Sequence, residues 1–393
     1  MPKVDFSHYE GGREHTYVKH YLLEKYLSRW GYKIGSTWDT LVFIDGFAGP
    51  WGAKDQEFAD ASFGIAIKAL NDAVDGLLKL RQRSVLGVCV FVEKAPQPFK
   101  KLDEFAKSHS TNRVLAMAFK GRFVENIRAI EEYVASAGAN PFKFVFLDQK
   151  GWAATPMKEL RPFVSERPCE LLFNLMTSFL TRFVDRDDLA PSYQALYLRP
   201  RVLDRIRALP KGTGQREEAA VEEYCKSLRE VCGFLYVSQA VIMDAKREKV
   251  RYYLVFATRS LHGIEVFKSA EAEAAATQDE VRHGSRIKRE GPFLPFGGPT
   301  PKSPRLVELH QRYAVRMRET IIQLLSSGAR SNFAYDHLYG EAMAFPLVTA
   351  DDLEKVLREL EPGVKIELEG KRRKKPLLFK NDRVLVIDAK TLK

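Results

Sequence analysis

A chain of 393 residues is long enough for two or three domains and a large buried core. With 45% hydrophobic and 29% charged residues, and no run of about 18 uncharged apolar residues, the composition is globular and excludes a membrane helix. The formal charge of +11 favours a polyanionic partner such as nucleic acid, because lysines and arginines gain affinity by displacing counterions from phosphates. The opening Met1-Pro2-Lys3-Val4-Asp5-Phe6 lacks the apolar core of a secretory signal, so the expected location is cytoplasmic. Cys89, Cys169, Cys225 and Cys232 show no C-x₂₋₄-C spacing and read as reduced thiols, most of them core.

Tyr17, Tyr21, Leu22, Tyr26, Leu27 and Trp30 recur at helical spacing from Glu14 to Trp30, with Gly31 as the expected stop. Short apolar blocks follow at Leu41–Ile44, Val85–Val92, Val114–Phe119, Phe142–Leu147 and Leu171–Asn174. Helical patterns at Pro96–Lys107 and Arg122–Ala137 separate some of them. Blocks that do not alternate suit strands buried on both faces, and their alternation with helices is the βαβ signature of a parallel sheet. After a helical insertion over about 185–232, Phe234–Met243 and Arg251–Thr258 read as an antiparallel pair joined by a charged turn. Such a pair is the usual finish of a methyltransferase-like sheet. A helix over Leu261–Thr277 closes the unit, which gives a Rossmann-like α/β domain over 1–278 with helices on both faces.

Residues 279–304 crowd Pro292, Pro295, Gly297, Gly298, Pro299, Pro301 and Pro304 behind Arg282, Arg286, Lys288 and Arg289, and read as a basic linker. Helices at Leu306–Leu325, Asn332–Ala344 and Thr349–Leu360 follow. Thr349 and Asp352 are spaced as a capping box. Strands at Val364–Leu368, Leu377–Phe379 and Val384–Ile387 complete a small winged helix over 305–393. Its wing tip is Lys371-Arg372-Arg373-Lys374-Lys375. The segment holds 17 basic against 13 acidic residues, and its third helix carries Asp351, Asp352, Glu354 and Glu359. Phosphate contacts through the wing therefore suit it better than deep insertion of that helix into a major groove. A winged helix used for protein contact is the alternative.

The strongest local motif is Asp45-Gly46-Phe47-Ala48-Gly49-Pro50-Trp51-Gly52 at the end of the first strand. Glycines there let the backbone turn and approach a ligand, and open α/β sheets bind ligands outside the carboxyl ends of their strands. The pattern is neither the dinucleotide G-x-G-x-x-G nor a Walker A loop. Glu93 ends the second strand, where an acid accepts both hydroxyls of a ribose. His15 and His20 stand at i, i+5, off the spacing that puts two ligands on one helix face, so no metal site is expected.

These motifs resemble the three-Cys-motif partner protein (TcmP) family. The resemblance rests on Lys19-His20 with Tyr26-Leu27, Ile44-Asp45-Gly46-Phe47-Ala48-Gly49-Pro50 and Phe146-Leu147-Asp148. It extends to Leu172-Phe173-Asn174 with Arg182 and to Leu254-Val255-Phe256-Ala257-Thr258. It implies a class I S-adenosylmethionine-dependent methyltransferase fold beside a radical-SAM partner protein. By the same resemblance Asp45, Phe47, Ala48, Gly49 and Glu93 line the cofactor pocket, with Lys19 and His20 close to it.

Asp148 is the catalytic candidate, because amino-methyltransferases present an Asp/Asn-Pro-Pro-aromatic motif from this position to orient a target amine. Here the segment reads Asp148-Gln149-Lys150-Gly151-Trp152, without the proline. Asn174 ends the fifth strand and either completes a substrate edge or forms a turn. Trp152 either stacks on a base or packs in the core. Arg182 either holds a phosphate or pairs with Asp185 or Asp187. No Pro-Cys loop follows the fourth strand, against cytosine C5 chemistry. The expected activity is methyl transfer to nucleic acid, DNA rather than RNA; the alternative is a non-catalytic adaptor of the same fold.

Overall fold

The computed structural model describes residues 6–9, 12–49, 55, 58–165, 168–290, 302–327, 331–361, 363–368 and 382–392. The Pro50-Trp51-Gly52 end of the glycine motif, the basic run Lys371–Lys375 and the strand expected at Leu377–Phe379 lie outside them. So do residues 291–301 of the expected linker.

The chain opens with α1 (Glu14–Gly35), β1 (Thr40–Asp45), α2 (Ser62–Arg81), β2 (Leu86–Glu93), α3 (Pro96–His109), β3 (Val114–Lys120) and α4 (Phe123–Ala137). It continues through β4 (Pro141–Leu147), α5 (Met157–Ser165) and β5 (Cys169–Leu175). Four helices follow: α6 (Thr177–Phe183), α7 (Ala190–Tyr197), α8 (Val202–Arg207) and α9 (Gln215–Glu230). Then come β6 (Tyr236–Met243), β7 (Val250–Thr258) and α10 (Leu261–Glu290). A seven-stranded sheet of order β3-β2-β1-β4-β5-β7-β6 runs through this part, an α/β fold with helices flanking a mostly parallel sheet. Only β7 opposes its neighbours, β5 and β6. The inner strands β1, β4 and β5 are almost wholly buried, as two covered faces demand, while β3 at one edge alternates.

Gly31 does not stop α1. A Cβ there would lie 2.6 Å from the Ala73 Cβ, and one at Gly35 would lie 2.4 Å from the Leu77 side chain. These glycines therefore let α1 and α2 cross closely, and the helix runs on to Gly35. The sequence reading assigns nothing to α2, although Phe63, Ala66, Ile67, Leu70, Ala73, Val74 and Leu77 form one buried helical stripe.

The basic linker expected from residue 279 is helical through Glu290. Arg282 holds it down by donating to the carbonyls of Asp244 and Arg247 and to the Glu248 carboxylate, so the charged β6–β7 turn supplies what the helix needs. The remainder is α11 (Pro304–Ser326), β8 (Asn332–Ala334), α12 (Tyr335–Ala342), α13 (Ala350–Glu359), β9 (Val364–Glu367) and β10 (Arg383–Val386). The helix expected at Asn332 starts three residues later, because Asn332–Ala334 pair with β10 in a three-stranded antiparallel sheet of order β8-β10-β9. Thr349 and Asp352 form the capping box that their spacing indicates. The Gln239 amide donates to the Ala344 carbonyl, and the Lys268 ammonium to that of Phe345, which fixes this unit beside β6 and α10. No helix among the described residues is long and apolar enough to cross a membrane.

Candidate functional site

Parallel strands end on one side of a sheet, so β1, β2, β4 and β5 deliver Asp45, Glu93, Asp148 and Asn174 to a common carboxyl edge. At β1, Gly46 is required by packing, since a Cβ there would lie 2.6 Å from the Leu147 side chain. The amide of Gly46 donates to the Phe146 carbonyl at 3.0 Å and that of Ala48 to the Val92 carbonyl at 2.9 Å. The turn is thus tied to both neighbouring strands. Asp45 is fully buried beneath it, accepting from the Phe47 amide (2.9 Å) and the Ser62 hydroxyl (2.6 Å). Burial, which outweighs those hydrogen bonds, pushes its carboxyl up to about 7. Asp45 therefore shapes the loop with both oxygens engaged.

Asp148 forms an ion pair with Lys19 and accepts from the Asn174 amide at 2.7 Å. Burial pushes its carboxyl up, but the Lys19 charge and the hydrogen bonds from Lys19 and Asn174 prevail and hold it below the ordinary aspartate value. Asp148 is thus an anion whose side chain stays 25% exposed, while Lys19 is nearly buried. Because the Asn174 nitrogen must face that carboxylate, its Oδ1 is the free acceptor. This atom is buried and has no hydrogen-bond partner among the described residues. The same holds for the Gln149 Oε1 and Thr155 Oγ1 of the loop that follows.

His20 is buried, with Nδ1 at 3.1 Å from the Tyr9 hydroxyl, which donates to the Asp60 carbonyl at 3.0 Å. Burial and then the Lys19 charge lower the His20 imidazole to about 3, so it is neutral at physiological pH. Tyr9 and His20 thereby join α1 to the segment that precedes α2. On the other flank, Tyr252 of β7 lies beneath the Lys19 ammonium at 6.0 Å.

The fold therefore gathers Lys19, His20, Asp45, Asp148 and Asn174, with Phe47, Ala48 and Gly49 on the turn above Asp45. Glu93 ends the next strand, buried, and accepts from the Ala95 amide at 2.6 Å. Trp152 lies between Phe183 and Tyr193 with its indole N–H on the Ser192 hydroxyl, so it packs the helical insertion against the sheet. Arg182 is exposed on α6. Asp185 and Asp187 pair with other residues, Arg216 and Lys211 for the first and Arg207 for the second. Sequence reasoning missed Tyr9, Ser62, Gln149, Thr155 and Tyr252. None of them carried a legible signal: even Ser62, at the start of α2, caps no helix and gives its hydroxyl to Asp45.

Among the described residues no three His, Cys, Asp or Glu side chains cluster as metal ligands. No family model matches the chain, and comparison with curated proteins and with solved structures finds no match.

Proposed function

We propose that the chain is an S-adenosylmethionine-dependent methyltransferase acting on an amine of nucleic acid. The observation that carries this reading is the Asp148–Asn174 pair at the carboxyl edge, which keeps an ionised carboxylate beside a buried acceptor that has no partner among the described residues. An unpaired buried acceptor costs about 1–3 kcal/mol, a cost that a ligand N–H removes. The sheet order, with antiparallel β7 slotted between β5 and β6, supports the methyltransferase form of the Rossmann-like fold.

The residues fit the cofactor. Glu93 is an acid at the end of β2, suited to ribose hydroxyls. The Phe47–Gly49 backbone offers a turn for close approach, and the Asp148 anion suits a sulfonium cation. When bound, S-adenosylmethionine supplies an electrophilic methyl carbon. Asn174 Oδ1 accepts one N–H of the target amine and so aims its lone pair. Asp148, kept ionised by Lys19, stands ready for the proton released after transfer. Arg182 and the basic run at 371–375 are the expected phosphate contacts, with α11–α13 and β8–β10 read as a winged helix.

Calorimetric titration with S-adenosylhomocysteine tests this. We expect micromolar binding, about −8 kcal/mol, weakened at least about tenfold by Glu93→Ala. Absence of heat from folded protein overturns the reading. A non-catalytic adaptor for nucleic acid or a radical-SAM partner is the second reading. It is favoured by the Lys19 ion pair that occupies Asp148 and by the loop without proline that follows.

A further inference from the structure

A cavity of about 360 Å³ lies on the β5–β7 side of the carboxyl edge, where α6, the 211–214 loop and the end of the β6–β7 turn meet. Ser178, Thr181 and Arg182 enter it from one face of α6, whose first residue follows Asn174 by three positions. Lys211, Arg216 and Lys249 close the other sides, and Asp185 and Glu217 are its two acids. Their pairing leaves a surplus of positive charge. Asp185 is shared by Arg216 and Lys211, and Glu217 takes the Thr181 hydroxyl at 3.2 Å. The Arg182 and Lys249 side chains, both exposed, have no ion partner among the described residues. A contiguous hollow of about 730 Å³, which shares Ser178, Gly212, Glu217 and Lys249 with the first, runs toward α11, and there Glu308 pairs with Arg305, Glu218 with Arg312 and Glu248 with Arg282.

We propose that the Arg182–Lys249 cavity is a phosphate seat for a nucleic-acid strand, which holds the backbone beside the nucleotide presented to Asn174. Two cations without an ion partner among the described residues and the neighbouring Ser178 hydroxyl offer charge and a hydrogen bond to one phosphodiester, without base readout. The hollow toward α11 adds Glu218, Glu248 and Glu308, whereas Arg182 lines only the α6 side, so the backbone seats on the α6 side. The inference rests on the nucleic-acid reading above and adds Lys249 and Ser178 to it.

The test is fluorescence anisotropy of a labelled DNA duplex with the full chain over a range of salt. Arg182→Ala with Lys249→Ala is expected to weaken binding by about tenfold and to reduce the slope of log K against log salt by about 0.9, the share of the one phosphate that the pair neutralises. Glu217→Gln, which removes the opposing charge, is expected to tighten binding about twofold, a gain that misfolding does not produce. Unchanged affinity and slope in the double variant overturn the seat. Inorganic phosphate bound by wild type and lost in the double variant, with duplex affinity unchanged, also overturns it in favour of a small anion. Calorimetry with S-adenosylhomocysteine separates the two proposals, because the double variant is expected to bind it as wild type does.

Discussion

Strand β5 carries a buried polar cluster at each end, and the two are finished differently. At its start Glu170 accepts the Tyr26 hydroxyl (2.6 Å) on one oxygen and the Thr258 hydroxyl (2.8 Å) on the other. Gly263 lies so close that a Cβ there would approach the Glu170 Oε1 to 2.4 Å. At its end Asn174 meets Asp148, the partner of Lys19, yet keeps a buried oxygen without a partner among the described residues. Both clusters sit in low dielectric, where an unmade hydrogen bond is costly, so completeness separates them. The closed cluster acts as a structural staple between β5, α1 and β7, and the open one is arranged for a partner from outside the fold.

The largest expected effect falls on the open cluster. Lys19→Met leaves the Asp148 carboxylate without its counter-ion and is expected to destabilise by about 2–4 kcal/mol at neutral pH. That lies at or below the usual cost of breaking a buried pair, because Asp148 is partly exposed. The loss should shrink in acid, where Asp148 protonates; urea denaturation at pH 7 and pH 4 reads both. A loss independent of pH would show that Lys19 acts through packing.

Next come the hydrogen bonds. Tyr26→Phe leaves a Glu170 oxygen unpaired and is expected to cost about 1–3 kcal/mol. Asn174→Ala removes an unpaired oxygen together with a bond, and should change stability by less than about 1 kcal/mol while abolishing ligand-induced stabilisation. Equal losses in the two variants would erase the distinction between the clusters.

A further effect is on pH dependence. Burial raises both Glu170 and Asp45 to about 7, above their ordinary values. The folded chain therefore binds more protons than the unfolded chain between those values and pH 7. These two groups make stability fall as pH rises through that window. Glu170→Gln or Asp45→Asn should each flatten the decline by roughly 1–2 kcal/mol between pH 5 and pH 8. Chemical denaturation midpoints across that range measure it, and an unchanged slope in both variants would place the titrating groups elsewhere.

Much of the sheet was legible because a strand covered on both faces must be an unbroken apolar block, whatever covers it. Val42, Phe43 and Ile44, or Phe144, Val145 and Phe146, carry that requirement in themselves. The carboxyl-edge residues were legible for a related reason: a polar residue that ends such a block marks the strand's end, which is how Asp45, Glu93, Asp148 and Asn174 stand out. The link between Lys19 and Asp148 spans 129 positions, and neither spacing nor composition announces it. Nor does either announce that Trp152 faces Phe183 and Tyr193, since an aromatic after a strand suits a base and a helix equally.

The sequence by itself determined the local elements: the buried strands, the turn after β1 and the Thr349–Asp352 cap, all set by interactions within a few residues. The tertiary structure decided where locally ambiguous residues belong. Gly31 became a helix contact because Ala73 faces it, Asn332–Ala334 became a strand because β10 offers a ladder, and α10 runs on past residue 279 because the 244–248 turn accepts Arg282. It also decided which polar groups find partners, because a hydrogen bond between distant segments exists only once the chain has brought them together.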